Sequence, residues 1–172
     1  MHLALVAKGS RAISGELERV FEDYSGMIFR TAYRITGNAA DAEDVLQTVF
    51  LRLLGRDPSR GELANPDSYL RRAAINVALD VVRARQKAAE SPLEDSMPAT
   101  EHRDLRDSLR RALATLDPRH AEIFALRFFE GHTNREIARM TGMSTVLVAV
   151  TIYRARQRLQ KEIRMQAAGG IS

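Results

Sequence analysis

Hydrophobic residues recur at helical spacing along most of the chain, whereas the alternation typical of strands is nearly absent. In the N-terminal half, such stretches cover about 15–35, 39–54 and 67–87. Thr36-Gly37-Asn38 separates the first two, and a Pro- and Gly-containing stretch at 55–66 precedes the third. The pattern predicts an all-α protein whose first three helices share a core. The expected core positions are Leu17, Val20, Phe21, Tyr24, Ile28, Ala32 and Ile35, then Ala42, Val45, Leu46, Val49, Phe50 and Leu53, then Leu70, Ala74, Val77 and Val81.

The C-terminal half predicts about four more helices, the last two of which form a helix-turn-helix. Thr133 and Glu136 have the spacing of a capping box, so a short helix begins there and runs to about 140. Gly142 permits the positive φ of a tight turn, and Ser144 can cap a final helix that runs to about 166. A short helix, a glycine turn and a longer helix are typical of DNA-binding proteins. The alternative is an ordinary helical hairpin.

A linker is predicted between the two halves, at 88–104. It contains Pro92 and Pro98, small residues and several acidic groups. We therefore expect two small domains joined by this linker, at 15–87 and 105–166.

Composition excludes several classes of protein. The net charge of +4 and pI of about 9.8 permit a polyanionic partner. Because there is no cysteine, disulfides and thiolate metal sites are excluded. The four histidines are scattered, and no phosphate-binding glycine loop or nucleophile motif is present. We expect no enzyme activity, no cofactor and no metal. Without an apolar run of about 20 residues, we expect a cytoplasmic protein.

Three segments resemble the extracytoplasmic-function sigma factors of bacterial RNA polymerase. Residues 34–38 and 41–51 are similar to region 2 of that family, and residues 65–80 to its promoter-melting segment. Residues 116–159, which contain the helix-turn-helix, are similar to region 4. The resemblance implies a factor with two helical domains that binds core polymerase through its β and β′ subunits and directs it to promoters. It also implies an anti-sigma partner.

The resemblance implies roles for residues of region 2. The acidic surface of the second helix would dock on the polymerase clamp through Asp41, Asp44 and Gln47. The third helix would bind the −10 element through Tyr69, Arg71, Arg72, Asn76, Arg83 and Arg85. Tyr69 stands where the family usually has tryptophan, so it either stacks on a base or packs internally. Asn76 either contacts DNA or has a structural role, such as a hydrogen bond to Arg72 or Asp80. The acidic linker either occupies the RNA path of the polymerase or is a plain tether.

The −35 element would be bound by residues of the helix-turn-helix: Arg135, Arg139, Thr145, Ala149, Val150, Arg154 and Arg156. Here the sequence departs from the family, which commonly has basic and polar residues around 149–151. We expect Val148, Ile152, Ala155 and Leu159 to face inward, which leaves Val146, Leu147, Ala149 and Val150 partly outward. Such a face can contact thymine methyl groups but has no arginine for guanine. Alternatively, a protein covers it, and the chain is a sigma-like regulator that acts mainly by protein binding.

Overall fold

The structure is a computed structural model that describes residues 2–56, 63–89 and 101–169, and all regular secondary structure in these ranges is helical. The predicted all-α class is therefore confirmed. The first helix begins well before the predicted start near residue 15. Most of the predicted linker, including its acidic residues at 90–95, lies outside the described residues. The helices are α1 His2–Thr36, α2 Ala39–Leu54, α3 Pro66–Ala89, α4 Glu101–Thr115, α5 Pro118–Phe128, α6 Asn134–Thr141 and α7 Thr145–Gly169.

Helices α1, α2 and α3 pack on one another and form an N-terminal unit. Most of the expected core positions are buried, including Ile28, Val45 and Leu70. Phe21 is an exception, because its ring packs 4.9 Å from that of Phe50 yet the residue remains 47% exposed. Between α1 and α2, Gly37 has a φ of 70° and its N–H donates to Tyr33 O. Left-handed backbone of this kind favours glycine, so the predicted helix stop is confirmed.

Helix α3 is buried on two faces, of which the sequence pattern predicted only one. Leu70, Ala74 and Val77 face α1 and α2, as expected for one apolar stripe. The second stripe contains Ile75 and Leu79, which are 0% and 1% exposed. At 100° per residue, this stripe lies on the opposite side of the helix. It is covered because α3 also packs on α4 and α5. Helix α3 therefore joins the N-terminal unit to a C-terminal unit made of α4 to α7.

The C-terminal unit contains the predicted helix-turn-helix. Thr133 Oγ1 accepts from the N–H of Glu136, and the Glu136 carboxylate accepts from the N–H of Thr133, which is a reciprocal capping box. The backbone hydrogen bond from Thr133 lowers the pKa of the Glu136 carboxyl, so the carboxylate is ionised well below neutral pH. Gly142 has a φ of 70°, and Ser144 Oγ accepts from Leu147 N at the start of α7. The turn at Gly142 and the caps at Thr133 and Ser144 are as predicted.

Replacing Thr133 with alanine is expected to destabilise the C-terminal unit by about 1 kcal/mol, since the first turn of α6 loses its side-chain acceptor. Urea unfolding followed by circular dichroism measures the change. Thr115→Ala is a suitable control because Thr115 is exposed and bonds only to the carbonyl of Ala112, within its own helix; we expect a change under about 0.5 kcal/mol. Equal effects of the two substitutions would contradict a specific role for the capping box.

Candidate nucleic-acid interface

The start of α7 presents an apolar face to solvent. Val148 and Ile152 are buried against the rest of the unit, as are Ala155 and Leu159. On the outer side, Val146 is 74% exposed, Leu147 48% and Val150 37%. The predicted division between inner and outer positions is confirmed. Because α7 is the second helix of the motif, this outer face stands where such proteins contact base edges in the major groove.

Both helices of the motif also carry exposed basic side chains. Arg135 and Arg139 are exposed on α6, and Arg154 and Arg156 are exposed on α7. The Arg156 guanidinium also lies 6.0 Å from the centre of the Phe128 ring, which helps to orient it. Thr145, Ala149 and Val150 are exposed on α7. All seven residues predicted to bind the −35 element are thus accessible on one unit. Exposed cations and apolar residues together suit DNA, because cations contact phosphates and apolar side chains contact thymine methyl groups.

The polar side chains of α3 are arranged differently, because several of them point into the contact with the C-terminal unit. The Arg71 guanidinium binds Asp67 at 2.9 Å and also binds the Glu130 carboxylate, whose side chain is 1% exposed. Burial alone lowers the pKa of Arg71, but the hydrogen bonds and charges of Asp67 and Glu130 outweigh it and leave the pKa raised. Arg71 is therefore a permanent cation. Arg34 of α1 donates to the same Glu130 carboxylate at 3.0 Å.

Glu122 of α5 is the second carboxylate in this contact. Its side chain is 8% exposed and accepts from Arg72 Nε at 2.6 Å and from Asn76 Nδ2 at 3.2 Å. Asn76 therefore bonds across the contact, rather than to Arg72 or Asp80 on its own helix. We call the contacts of Glu122 and Glu130 with Arg34, Arg71, Arg72 and Asn76 the closed interface. Its two buried carboxylates are compensated by cations of the other unit.

Three arginines extend the contact by capping helix ends in the opposite unit. Arg72 Nη1 donates to Met140 O in the last turn of α6, at 3.0 Å. Arg83 donates to Leu116 O just beyond α4, at 3.4 Å, and Arg110 of α4 donates to Ile35 O at the end of α1, at 3.0 Å. Carbonyls at helix C-termini lack intrahelical partners and carry partial negative charge, so a guanidinium is stabilising there. A Cβ at Gly37 would clash with the Arg110 guanidinium.

The predicted polymerase-docking residues lie on α2. Asp44 and Gln47 are exposed and stand three positions apart, so they share one side of the helix. Asp41 is different, because its side chain is only 15% exposed and forms an ion pair with Arg85 of α3 at 2.7 Å. The N–H of Asp41 donates to the side chain of Asn38, which is the N-cap of α2. Asp41 thus has a structural role within the N-terminal unit as well.

Tyr69 and Arg85 differ from the other residues predicted to bind the −10 element, whose side chains bond to the C-terminal unit. Tyr69 is 39% exposed, and the Arg56 guanidinium lies 5.9 Å from its ring centre. Its ring therefore remains accessible for stacking on a base. Arg85 is half exposed beside Asp41. The structure accordingly divides the −10 residues into an accessible pair and a set of four that contacts the C-terminal unit: Arg71, Arg72, Asn76 and Arg83.

Comparison with known proteins identifies the family of the chain. Sigma-70 region 2 matches residues 20–88, and Sigma-70 region 4 matches residues 106–159. RNA polymerase sigma-E factor of Streptomyces coelicolor is 34% identical over 154 residues, which cover 83% of this chain and 85% of that protein. The chain belongs to the extracytoplasmic-function sigma factors. ECF RNA polymerase sigma factor SigE of Mycolicibacterium smegmatis is 29% identical, covering 90% of this sigma factor and 64% of that protein.

Solved structures share the fold of this sigma factor. CnrH, in complex with the cytosolic domain of CnrY, has a TM-score of 0.52 and 22% identity, with 94% of this chain and 96% of that chain covered. RpoE of Bartonella quintana, in complex with the anti-sigma factor NepR, has a TM-score of 0.50 and 18% identity, with 87% and 97% covered. As a member of the extracytoplasmic-function sigma factors with both family regions, the chain directs promoter-specific transcription initiation.

The contact between the two units of the sigma factor was missed by the sequence pattern. Glu122 and Glu130 are acidic residues in apolar surroundings, and nothing local identifies their partners, which lie 46 to 96 positions earlier in the chain. The available signal was the second apolar stripe of α3, through Ile75 and Leu79, which requires a covering element.

In the ranges 2–56, 63–89 and 101–169, no helix is long and apolar enough to cross a membrane. Among these residues, no cluster of potential metal ligands occurs either.

Proposed function

We propose that the sigma factor docks on core polymerase through α2, captures the −10 element with α3 and binds the −35 element with α6 and α7. We assign residues 15–87 to a region 2 domain, residues 88–104 to a linker and residues 105–166 to a region 4 domain. The observation that carries the proposal is that both family regions occur in order on one chain, with an exposed recognition helix in the second.

Docking on polymerase is assigned to Asp41, Asp44 and Gln47. Asp44 and Gln47 are exposed on α2. Asp41 is largely covered by its ion pair with Arg85, so its contribution to docking is smaller or requires that pair to rearrange. The part of the docking surface formed by Asp44 and Gln47 is accessible while the two units are in contact.

Binding of the −10 element is assigned to Tyr69, Arg71, Arg72, Asn76, Arg83 and Arg85. Four of these are guanidinium groups that suit phosphates, and Tyr69 offers an exposed ring. The −35 element is assigned to Arg135, Arg139, Thr145, Ala149, Val150, Arg154 and Arg156. In this set the arginines contact phosphates, while the apolar residues contact base methyl groups.

A protein that masks the polymerase-binding surface is the further partner that we propose. Support comes from the two solved structures of similar fold, each a complex with another protein, of which NepR is described as an anti-sigma factor. We also propose that the sigma factor acts in the cytoplasm, without a cofactor, and has no catalytic activity of its own, because polymerase carries out the chemistry of RNA synthesis.

Run-off transcription with purified core polymerase and a genomic promoter library tests the proposal. With this sigma factor as the only added factor, we expect discrete start sites whose upstream sequences share −10 and −35 elements. If the protein co-purifies with core polymerase but yields no specific transcripts, a regulator that acts by protein binding is the better description. Core polymerase without the sigma factor is the control for non-specific initiation.

Arg154 and Arg156 are expected to contact phosphates rather than bases. Replacing either with alanine should reduce the slope of log K against log salt by about one, with similar weakening on different −35 sequences. Fluorescence anisotropy with holoenzyme and a duplex −35 probe, at several salt concentrations, measures this slope. Arg19→Ala is the control, since Arg19 is exposed on α1, in the other unit. An unchanged slope for Arg154→Ala and Arg156→Ala would remove both residues from the interface.

A further inference from the structure

Phe128, the last residue of α5, has a ring that packs on one neighbour and still remains open to solvent. The ring centre lies 4.5 Å from that of Phe124, a buried residue, yet Phe128 itself is 46% exposed. A single exposed phenylalanine is common at protein surfaces and needs no special explanation. This ring differs because two arginines converge on it.

Arg127 and Arg156 both place a guanidinium beside the Phe128 ring. Each guanidinium carbon lies 6.0 Å from the ring centre, a distance at which the negative face of an aromatic ring attracts a cation. Nη1 of Arg127 also donates to His132 O at 3.2 Å, in the turn before α6. Arg156 comes from α7 and is exposed. The ring thus contacts one arginine that is tied to the backbone and one that faces solvent.

The two arginines of α7 that we assign to phosphates point in different directions. At about 100° per residue, Arg154 lies about 40° around the helix from Val150, so it follows the outer apolar face. Arg156 lies about 120° from Val150 on the other side, towards α5 and its Phe128 ring. A cation at this flank stands at the edge of the surface that enters the groove. It is suited to the phosphate backbone rather than to base edges.

We propose that Phe128 is a positioning residue for DNA binding, whose ring holds the Arg156 guanidinium at the flank of α7 where the phosphates beside the −35 element pass. The inference rests on the proposed binding of the −35 element, and in particular on the assignment of Arg156 to it. It adds α5 to a surface that the sequence pattern assigned to α6 and α7 alone. Phe128 acts through Arg156 and does not itself bind the DNA.

An aromatic ring suits this task better than a carboxylate would. In the described part of the chain, the Arg156 side chain forms no hydrogen bond and no ion pair, so the contact with Phe128 leaves its N–H groups for a phosphate. Arg71 and Arg72 differ, because carboxylates already bind their guanidinium groups. Since a flexible arginine loses rotamer freedom when it binds a phosphate, a guanidinium that already rests on a ring loses less. Phe128 therefore raises the affinity without competing for the phosphate.

The first test compares Phe128→Leu with Phe128→Tyr. Leucine keeps an apolar side chain against Phe124 but offers no π face to the cation, whereas tyrosine keeps the ring. With holoenzyme and a duplex −35 probe at low salt, we expect Phe128→Leu to raise the Kd about two- to fivefold, because the gain from holding Arg156 cannot exceed the strength of an exposed cation–π contact. Phe128→Tyr should bind as wild type does. Equal Kd values for Phe128→Leu and wild type, measured by fluorescence anisotropy, would overturn the proposal.

Phe21→Leu is the matched control. Phe21 is 47% exposed, and its ring packs 4.9 Å from that of Phe50 in the same tilted manner as Phe128 packs on Phe124. It lies on α1, in the other unit, so Phe21→Leu holoenzyme should bind the −35 probe as wild type does. A similar weakening by both leucine variants would show a general effect on packing and would sink the idea.

The second test asks whether Phe128 acts through Arg156. If it does, Phe128→Leu has no further effect in protein that already carries Arg156→Ala, because the guanidinium that the ring holds is absent. The double-mutant cycle should therefore be non-additive by the same factor of about two to five. The loss caused by Phe128→Leu alone should also shrink as salt rises, since it concerns a phosphate contact. Additive losses, or a loss that salt leaves unchanged, would contradict the positioning role.

These measurements separate the inference from the proposed function. If wild-type holoenzyme binds the −35 probe specifically and Arg156→Ala weakens that binding, while Phe128→Leu does not, only the positioning role is wrong. If wild-type holoenzyme shows no preference for the −35 probe over a scrambled duplex, the proposed function fails instead.

Discussion

Asp44→Lys with Gln47→Lys is expected to lower promoter-specific transcription at least about a hundredfold by preventing assembly of holoenzyme. Both side chains are exposed on α2, and neither is needed for packing. The substitution reverses the charge of a surface that we assign to polymerase docking, and like charges across an interface are strongly unfavourable. A loss of this size corresponds to about 2.7 kcal/mol of binding free energy.

Co-purification with core polymerase and run-off transcription measure the two stages of this effect separately. Glu18→Lys with Glu22→Gln makes the same change in net charge on α1 and should behave as wild type. Unchanged far-ultraviolet circular dichroism excludes misfolding. If the α2 variant still co-purifies with core polymerase, the docking surface lies elsewhere.

Leu147→Asp with Val150→Asp is the second substitution with a large expected effect. Both residues lie on the exposed apolar face of α7, between arginines that we assign to phosphates. Two carboxylates at these positions would be forced towards an anionic groove and would lose their apolar contacts. We expect transcription that depends on the −35 element to fall about a hundredfold. Each of the two carboxylates would cost about 1.4 kcal/mol of binding free energy, which is a factor of about ten.

A matched control lies on the same helix. Gln160→Asp with Ala168→Asp adds the same charge at exposed positions, the nearer of them about 15 Å along the helix from Val150. Transcription by this control should change little. Full activity of Leu147→Asp with Val150→Asp would show that the exposed face does not enter the groove.

Uracil in place of thymine gives a more specific check of the same helix. Because Val146, Leu147, Ala149 and Val150 carry no hydrogen-bonding side chains, base reading by this face must use methyl groups. Removing the thymine methyl groups from the −35 element should weaken holoenzyme binding several-fold. An unaffected Kd would indicate that phosphate contacts alone hold region 4 at the promoter.

Much of the fold was predictable because it depends on local signals. The capping box of Thr133 and Glu136, the positive φ at Gly142 and the inner positions of α7 each depend on residues within a few positions of one another. The end of α1 at Gly37 likewise depends on residues close in sequence. Each of these features can be recognised from residue type and spacing alone.

The relation between the two units was not predictable in this way. A carboxylate such as Glu122 has the same local pattern whether it faces water or an arginine 50 positions earlier in the chain. The bonds of Arg71, Arg72, Asn76 and Arg83 to the C-terminal unit were therefore not predicted. The second apolar stripe of α3, through Ile75 and Leu79, is the one feature of the sequence that indicates an additional covering layer.

The ion pair between Asp41 and Arg85 joins a residue assigned to polymerase with one assigned to DNA, at 2.7 Å. A polymerase group that draws Asp41 away leaves the Arg85 cation without its counter-charge, and a phosphate that draws Arg85 away leaves Asp41 available to polymerase. By thermodynamic linkage, each partner must then raise the affinity for the other by the same factor. A single salt bridge would thus give the two binding events positive cooperativity, and a conservative Asp41→Asn substitution would weaken that cooperativity without removing either surface.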